Sequence, residues 1–190
     1  MIKEDEILDV SLDNFEDIMC YDLCIVSDNH GTNVEEIASL KTPGREFIHC
    51  GDSNMPLHLM DEIFDHWVSG NTDEHLSGED YMAKELSYFG KKFLLTHGDL
   101  ISEGRGVDYE NDIVNYALEH GSRGVIFGHS HHKTVKEKNG VLLINPGALR
   151  GDYMTYRIGY ITVKITPCKI KIKYIPMNKN CKPTVEEFDY

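Results

Sequence analysis

The chain has 190 residues, 19 Lys+Arg against 32 Asp+Glu, a formal net charge of −13 and 41% hydrophobic residues. That length suits one domain with a core of its own, and the acidic balance without a Lys/Arg cluster excludes a broad phosphate-neutralising surface for nucleic acid. Five cysteines without a Cys-x-x-Cys pair exclude a disulfide framework or a thiolate zinc knuckle; with no basic-then-apolar leader and no run of ~18 apolar residues, a cytoplasmic chain without a membrane span is expected.

Residues 1–21 are acidic with scattered apolar side chains and stand as an extension without an assigned element, ahead of a single domain over 22–190. "DLCIVSD" (22–28) is a buried strand, "NVEEIASL" (33–40) a short helix opened by Asn33, and "EFIHCGD" (46–52) a second strand. Residues 55–66 have helical spacing with Pro56 near the start, and 67–71 form a brief extended piece. This βαβα rhythm predicts a parallel sheet covered by helices. The second half is richer in hairpins: two extended segments over 81–99 turn near Gly90, and a helix over 109–120 stops at Gly121. "GVIFGHS" (124–130) is a strand, Asn139-Gly140 marks a hairpin, and two more strands meet at Thr166-Pro167. Two packed sheets with helices outside are expected.

Polar side chains collect where the apolar runs end. Asp28 and His30 are two apart, as are His129 and His131, so on an extended backbone each pair points to one side. Asp52, Asn71 and His97 each follow another apolar run, which completes a set of seven oxygen and imidazole donors. Such a set suits Mn, Fe, Zn or Ni better than calcium and lacks the thiolates of a structural zinc site. Seven donors exceed one tetrahedral ion but fit two ions if Asp52 bridges them. Two ions about 3.5–4 Å apart can clamp a phosphoryl group and hold a hydroxide for in-line attack.

The ordered set "SDNHG", "GDS", "GNTD", "THGD", "GHSHH" and "NPGAL" resembles the calcineurin-like metallophosphoesterases, in particular the small YfcE-type phosphodiesterase branch. The resemblance implies a four-layer αββα sandwich, with two mixed sheets flanked by helices, and a dinuclear site. By resemblance, Asp28, His30 and His131 hold the first metal, Asn71, His97 and His129 hold the second and are also the catalytic residues, and Asp52 is shared. It implies phosphodiester hydrolysis by a metal-bridging hydroxide, with Mn²⁺ the first choice and Ni²⁺, Fe²⁺ or Zn²⁺ the others. The partner is a small phosphoester substrate, and exposed hairpin edges leave room for a homodimer. Two further readings stay open: a phosphomonoesterase or nucleotidase of the same superfamily, and a Vps29-like protein-binding scaffold with a weak or inactive site.

The chain departs from the larger phosphatases of this superfamily at Thr72, where they carry a histidine that contacts substrate and protonates the leaving group. A threonine hydroxyl donates a hydrogen bond but is no acid near neutral pH. His75 is the nearby candidate to replace that donor, and Asp99 is either an acceptor that orients His97 or a solvated carboxylate. His132, next to His131, points away and is a rim residue. His49, His58, His66 and His120 are surface or partly packed histidines, Arg150 is a solvated loop residue or a phosphate contact, and specificity is assigned to loops 74–80 and 99–108.

Overall fold

The computed structural model describes residues 19–76, 78, 81–102, 107–150, 158–178 and 180–189. Of the acidic extension expected over 1–21, all but the last three residues lie outside these; so do parts of both expected specificity loops, at 77, 79–80 and 103–106. In chain order the elements are β1 (Tyr21–Val26), α1 (Val34–Ala38), β2 (Glu46–His49), α2 (Leu57–Ile63), β3 (His66–Trp67), a 3₁₀ turn (Glu74–Leu76), β4 (Ala83–Tyr88) and β5 (Lys91–Thr96). There follow α3 (Val107–Glu119), β6 (Gly124–Ile126), β7 (Thr134–Lys138), β8 (Val141–Asn145), β9 (Gly159–Ile165), β10 (Lys169–Pro176) and β11 (Thr184–Asp189). Among the described residues no helix is long and apolar enough to cross a membrane.

The strands form a six-stranded sheet, β11-β10-β9-β1-β2-β3, and a five-stranded sheet, β4-β5-β6-β8-β7. The central cluster lies between them: Leu23 and Ile25 of β1, Ile48 of β2, Leu95 of β5, Ile126 of β6, Ile144 of β8 and Val163 of β9 are 0–1% exposed. Alternate residues of the same strands face outward onto helices. Cys24, Val26 and Phe47 pack on Ile37 of α1 and Met60 and Ile63 of α2, while Leu94, Val125 and Leu143 pack on Tyr109, Ile113 and Val114 of α3. Burial on both faces explains why "LCIV" is apolar without alternation. This is the expected αββα layering.

The parallel rhythm holds for β1-β2-β3 and for β5-β6-β8. The larger sheet is nevertheless mixed, because β9 returns antiparallel beside β1. On β10 the pattern Lys-Ile-Lys-Ile-Lys-Tyr alternates exposed and buried, the signature of a strand with one face in water. Sequence reasoning assigned nothing to β11, which pairs with β10 over Lys169–Tyr174. Its two apolar residues, Val185 and Phe188, are three apart and break the two-residue period; Val185 is exposed and only Phe188 reaches the core. The Asn139-Gly140 turn joins β7 to β8 with both residues at positive φ. Asn33 precedes α1 but makes no side-chain cap bond, because it sits in the left-handed region at φ 57°.

Candidate metal centre

The parallel strands of both sheets run toward one end of the sandwich, so the loops after β1, β2, β3, β5 and β6 meet there, as carboxyl-end loops do in α/β sheets. Asp28 and His30 follow β1, Asp52 follows β2, Asn71 follows β3, His97 follows β5, and His129 and His131 follow β6. The donors converge by a different backbone geometry from the extended one expected. Asp28 (φ 55°), His30 (47°), Asp52 (55°), His129 (64°) and His131 (58°) all lie in the left-handed region. Such conformations cost on the order of 1–3 kcal/mol each for residues other than glycine and persist only where the surroundings enforce them.

Here the enforcement is a set of backbone bonds between loops. Asp28 N–H donates to Gly51 O at 3.1 Å, His30 N–H to Asp52 O at 3.0 Å and Gly31 N–H to Ser53 O at 2.7 Å, which ties the first loop to the second. Gly128 N–H donates to His97 O at 3.2 Å and ties the two loops of the smaller sheet. The Asn145 amide donates to Gly128 O at 2.7 Å and its Oδ1 accepts from Gly147 N–H at 2.8 Å, so the "NPG" turn fixes neighbouring backbone.

One ligand atom from each of Asp28, His30, Asp52 and His131 lies within 4.8 Å of the others. His30 Nε2 is 3.3 Å from His131 Nε2 and 3.9 Å from Asp52 Oδ2, and His131 Nε2 is 3.1 Å from Asp28 Oδ1. On the other side of Asp52, the same Oδ2 is 3.5 Å from His97 Nε2. His129 Nδ1 is 3.0 Å from Asn71 Oδ1, and the His97 and His129 rings meet edge to face at 5.3 Å. Asp28, His30, Asp52 and His131 therefore form one cluster, His97 adjoins it at Asp52, and Asn71 and His129 adjoin His97.

These donors fit a divalent cation. Asp28 Oδ1 and His97 Nε2 are buried polar atoms without a hydrogen-bond partner, a condition that costs about 1–3 kcal/mol per group unless something else satisfies it. Although His131 Nε2 stands close to Asp28 Oδ1, its angle is not that of a hydrogen bond. The other carboxylate oxygen of Asp28 accepts from the Ser27 hydroxyl. Burial opposes ionisation of Asp52, but His97 and the Thr72 N–H, 2.8 Å from Oδ1, outweigh it and hold the carboxyl well below its ordinary range. Burial likewise opposes protonation of His97, yet Asp52, Asp28 and the Cys50 carbonyl together raise it to about 9. Two buried carboxylates thus demand positive charge at this point, and a metal ion supplies it without a proton. The buried thiols offer none of this chemistry: burial pushes Cys24 up to about 12 and Cys50 well above its ordinary value.

Glycine at two positions makes room for the ligands. A Cβ on Gly70 would stand 2.3 Å from Asp52 Oδ1 and 2.7 Å from His97 Cδ2, and one on Gly128 would stand 2.2 Å from Ser27 Oγ and 2.8 Å from Asp28 Oδ2. Two supporting residues escaped sequence reasoning. Asp73 is 1% exposed and accepts from Ser53 N–H, the Ser53 hydroxyl, Asn54 N–H and Gly70 N–H, so one carboxylate joins the loops that carry Asp52 and Asn71. His49, expected at the surface or partly packed, is 0% exposed and bonded at both nitrogens; burial pushes it down to about 4 against the nearby Asp73 and Asp28 charges. Their positions, three residues before Asp52 and two after Asn71, were the available signals.

Several further expectations change. His97 is oriented by the Cys50 carbonyl, 2.7 Å from Nδ1, rather than by Asp99. His75 is exposed and bonds Met55 O at 2.8 Å. Thr72 places its hydroxyl 3.4 Å from His30 Nδ1 and 3.3 Å from Asn54 Oδ1. His132 bonds Ser130 O at 2.6 Å and stays at the rim, as expected. Arg150 is exposed and meets the site through its backbone N–H, 3.2 Å from Asp28 O.

A probable metallophosphoesterase of Mycoplasma pneumoniae is 32% identical over 126 residues, covering 66% of this chain and 77% of that one. The crystal structure of a conserved uncharacterised protein from Streptococcus pneumoniae, titled a predicted phosphoesterase, superposes with a TM-score of 0.71 at 22% identity, covering 90% and 98% of the two chains. Vps29 of Cryptosporidium parvum gives 0.72 at 16% identity over 90% and 98%. The phosphoesterase YfcE of E. coli gives 0.58 at 16% identity over 86% and 98%. These structures share the fold, and the calcineurin-like phosphoesterase superfamily domain matches residues 22–167. With the family model matched over residues 22–167 and a relative 32% identical, the chain belongs to the calcineurin-like phosphoesterases, and it shares its fold with YfcE and Vps29.

Proposed function

We propose that the chain is a phosphodiesterase that works with two divalent ions, Mn²⁺ first among Mn²⁺, Ni²⁺, Fe²⁺ and Zn²⁺. Asp28, His30 and His131 would hold one ion, Asn71, His97 and His129 the other, and Asp52 would serve both. The observation that supports this most is the place of the Asp52 carboxylate, with His30 Nε2 at 3.9 Å and His97 Nε2 at 3.5 Å from the same oxygen. When bound, such ions supply Lewis acidity and bring water close to ionisation at neutral pH.

The chain's own residues do the rest. Asp28 and His97 are fully buried, whereas His30 and His131 keep 13% and 16% of their side chains exposed, so substrate approaches over that histidine pair. Thr72 Oγ1 stands beside His30 and is the hydroxyl donor within reach of a phosphate oxygen. Threonine in place of the larger phosphatases' histidine delivers no proton to a departing alkoxide, which favours esters of acidic alcohols. A net charge of −13 opposes a dianionic monoester more than a monoanionic diester.

The test is kcat/KM with Mn²⁺ for bis(p-nitrophenyl) phosphate and for p-nitrophenyl phosphate. The diester is expected to be preferred, and Asp52→Ala to abolish turnover of both. Monoester preference overturns the diester assignment, and parental turnover by Asp52→Ala overturns the mechanism. The likeness to Vps29 gives the second reading: Mn²⁺ uptake with no turnover of either ester is the result that favours a scaffold.

A further inference from the structure

We propose that His49 is a positioning residue for the metal centre: a neutral imidazole that latches the Asp28–His30 loop onto the Gly51–Asp52 loop through Asn29. The proposal rests on the metal-holding part of the function above and adds a residue outside the seven donors. His49 ends β2, is 0% exposed, and makes two bonds that point in opposite directions. Gly51 N–H donates to Nδ1 at 3.0 Å, so Nδ1 carries the lone pair. Nε2 then carries the hydrogen and donates to Asn29 Oδ1 at 2.9 Å. A doubly protonated ring cannot make both bonds, and neither can any apolar residue.

Asn29 is what makes this latch relevant to metal. It is 0% exposed and lies between Asp28 and His30, both in left-handed backbone. Its own amide donates to Thr32 O at 3.1 Å, so with His49 on Oδ1 the side chain is held at both polar atoms, and the Thr32 hydroxyl bonds the Asn29 backbone carbonyl at 2.6 Å. Release of Oδ1 by His49 leaves a buried carbonyl without its donor and frees the peptide that sets the directions of two ligands at once. At Gly51, the same loss loosens the residue before Asp52. Both changes bear on Asp28, His30 and Asp52, three members of the tightest donor group. Partners that hold a metal ligand in place, without touching the metal, typically change affinity by about 10–100-fold.

His49→Phe keeps a ring against Phe64, whose centroid is 4.9 Å away, and removes both bonds. Asn29→Ala removes the other end of the latch. Mn²⁺ titration by calorimetry, with far-UV circular dichroism to show that each variant is folded, is expected to give a Kd at least tenfold weaker for each. The double variant is expected to lose less than the product of the two single losses, because the His49–Asn29 bond is lost in each. Phe64→Leu disturbs the same packing but not the latch and is expected to leave Kd within twofold; a loss there equal to that of His49→Phe assigns His49 a packing role only and overturns the proposal. If His49→Phe does not fold, Asn29→Ala decides. Parental Mn²⁺ affinity in Asn29→Ala overturns the latch while leaving the proposed function standing, whereas a parent chain that takes up no Mn²⁺ overturns both.

Discussion

Gly70→Ala isolates the effect of shape on the metal centre, because it adds one methyl group and removes no donor. The new Cβ would lie 2.3 Å from Asp52 Oδ1, 2.7 Å from Asp52 N and 2.7 Å from His97 Cδ2, where ordinary contact begins at 3.4 Å. Relief requires the carboxylate to move by about 1 Å, since Asp52 N and the His97 ring close off the alternatives, and a displacement of that size costs roughly 100-fold in rate. Overpacking costs about 1–3 kcal/mol, and about 2 kcal/mol lowers Tm by roughly 4–8 °C in a chain of this size. Diester turnover under saturating Mn²⁺, set beside the thermal midpoint, separates the two effects: at 25 °C the variant should be folded and about 100-fold slower. A folded Gly70→Ala with parental kcat/KM refutes the idea that this glycine is required by the close approach of Asp52.

Three other outcomes follow from the same geometry. In metal-free protein, His97 is raised from 6.5 to about 9, so its contribution is complete below pH 6.5 and is lost as pH rises through 9. His49, lowered from 6.5 to about 4, contributes stability above pH 6.5 that is lost as pH falls through 4. Urea midpoints of the metal-free chain should therefore peak near pH 6.5, and a monotonic rise to pH 9.5 contradicts the His97 assignment. Asp73→Asn sets an amide against donors at Ser53, Asn54 and Gly70, and urea unfolding should show a loss of about 3 kcal/mol, with weakened Mn²⁺ uptake. Leu95→Ala, at a position with no exposure in the inter-sheet core, should cost about 2–5 kcal/mol but leave kcat of the folded fraction unchanged.

The layered fold was legible because its strands carry different amounts of cover. Both faces of β1 are buried, so "LCIV" is apolar throughout, whereas β10 alternates because one of its faces is in the core and the other in water. The mixed character of the larger sheet was implied by the resemblance rather than by the residues, since nothing within "GYITVKI" states on which side of β1 it pairs. β11 was missed because its stability comes from backbone pairing and one side chain, Phe188. The four clustered Asp and His residues were legible as polar residues at strand ends, but the geometry that gathers them was not: alternation on an extended chain was assumed, and all four lie in left-handed backbone instead. His49 and Asp73 stayed hidden because burial of a polar group is a tertiary property. Their hydrogen-bond partners, Asn29 and Ser53, lie 20 residues away in each case.

The most direct measurement is anomalous scattering from crystals grown with Mn²⁺. Two peaks about 3.5–4 Å apart are expected, one among Asp28, His30 and His131 and one among Asn71, His97 and His129, with the Asp52 carboxylate between them. A single peak, or peaks remote from Asp52, contradicts the dinuclear account.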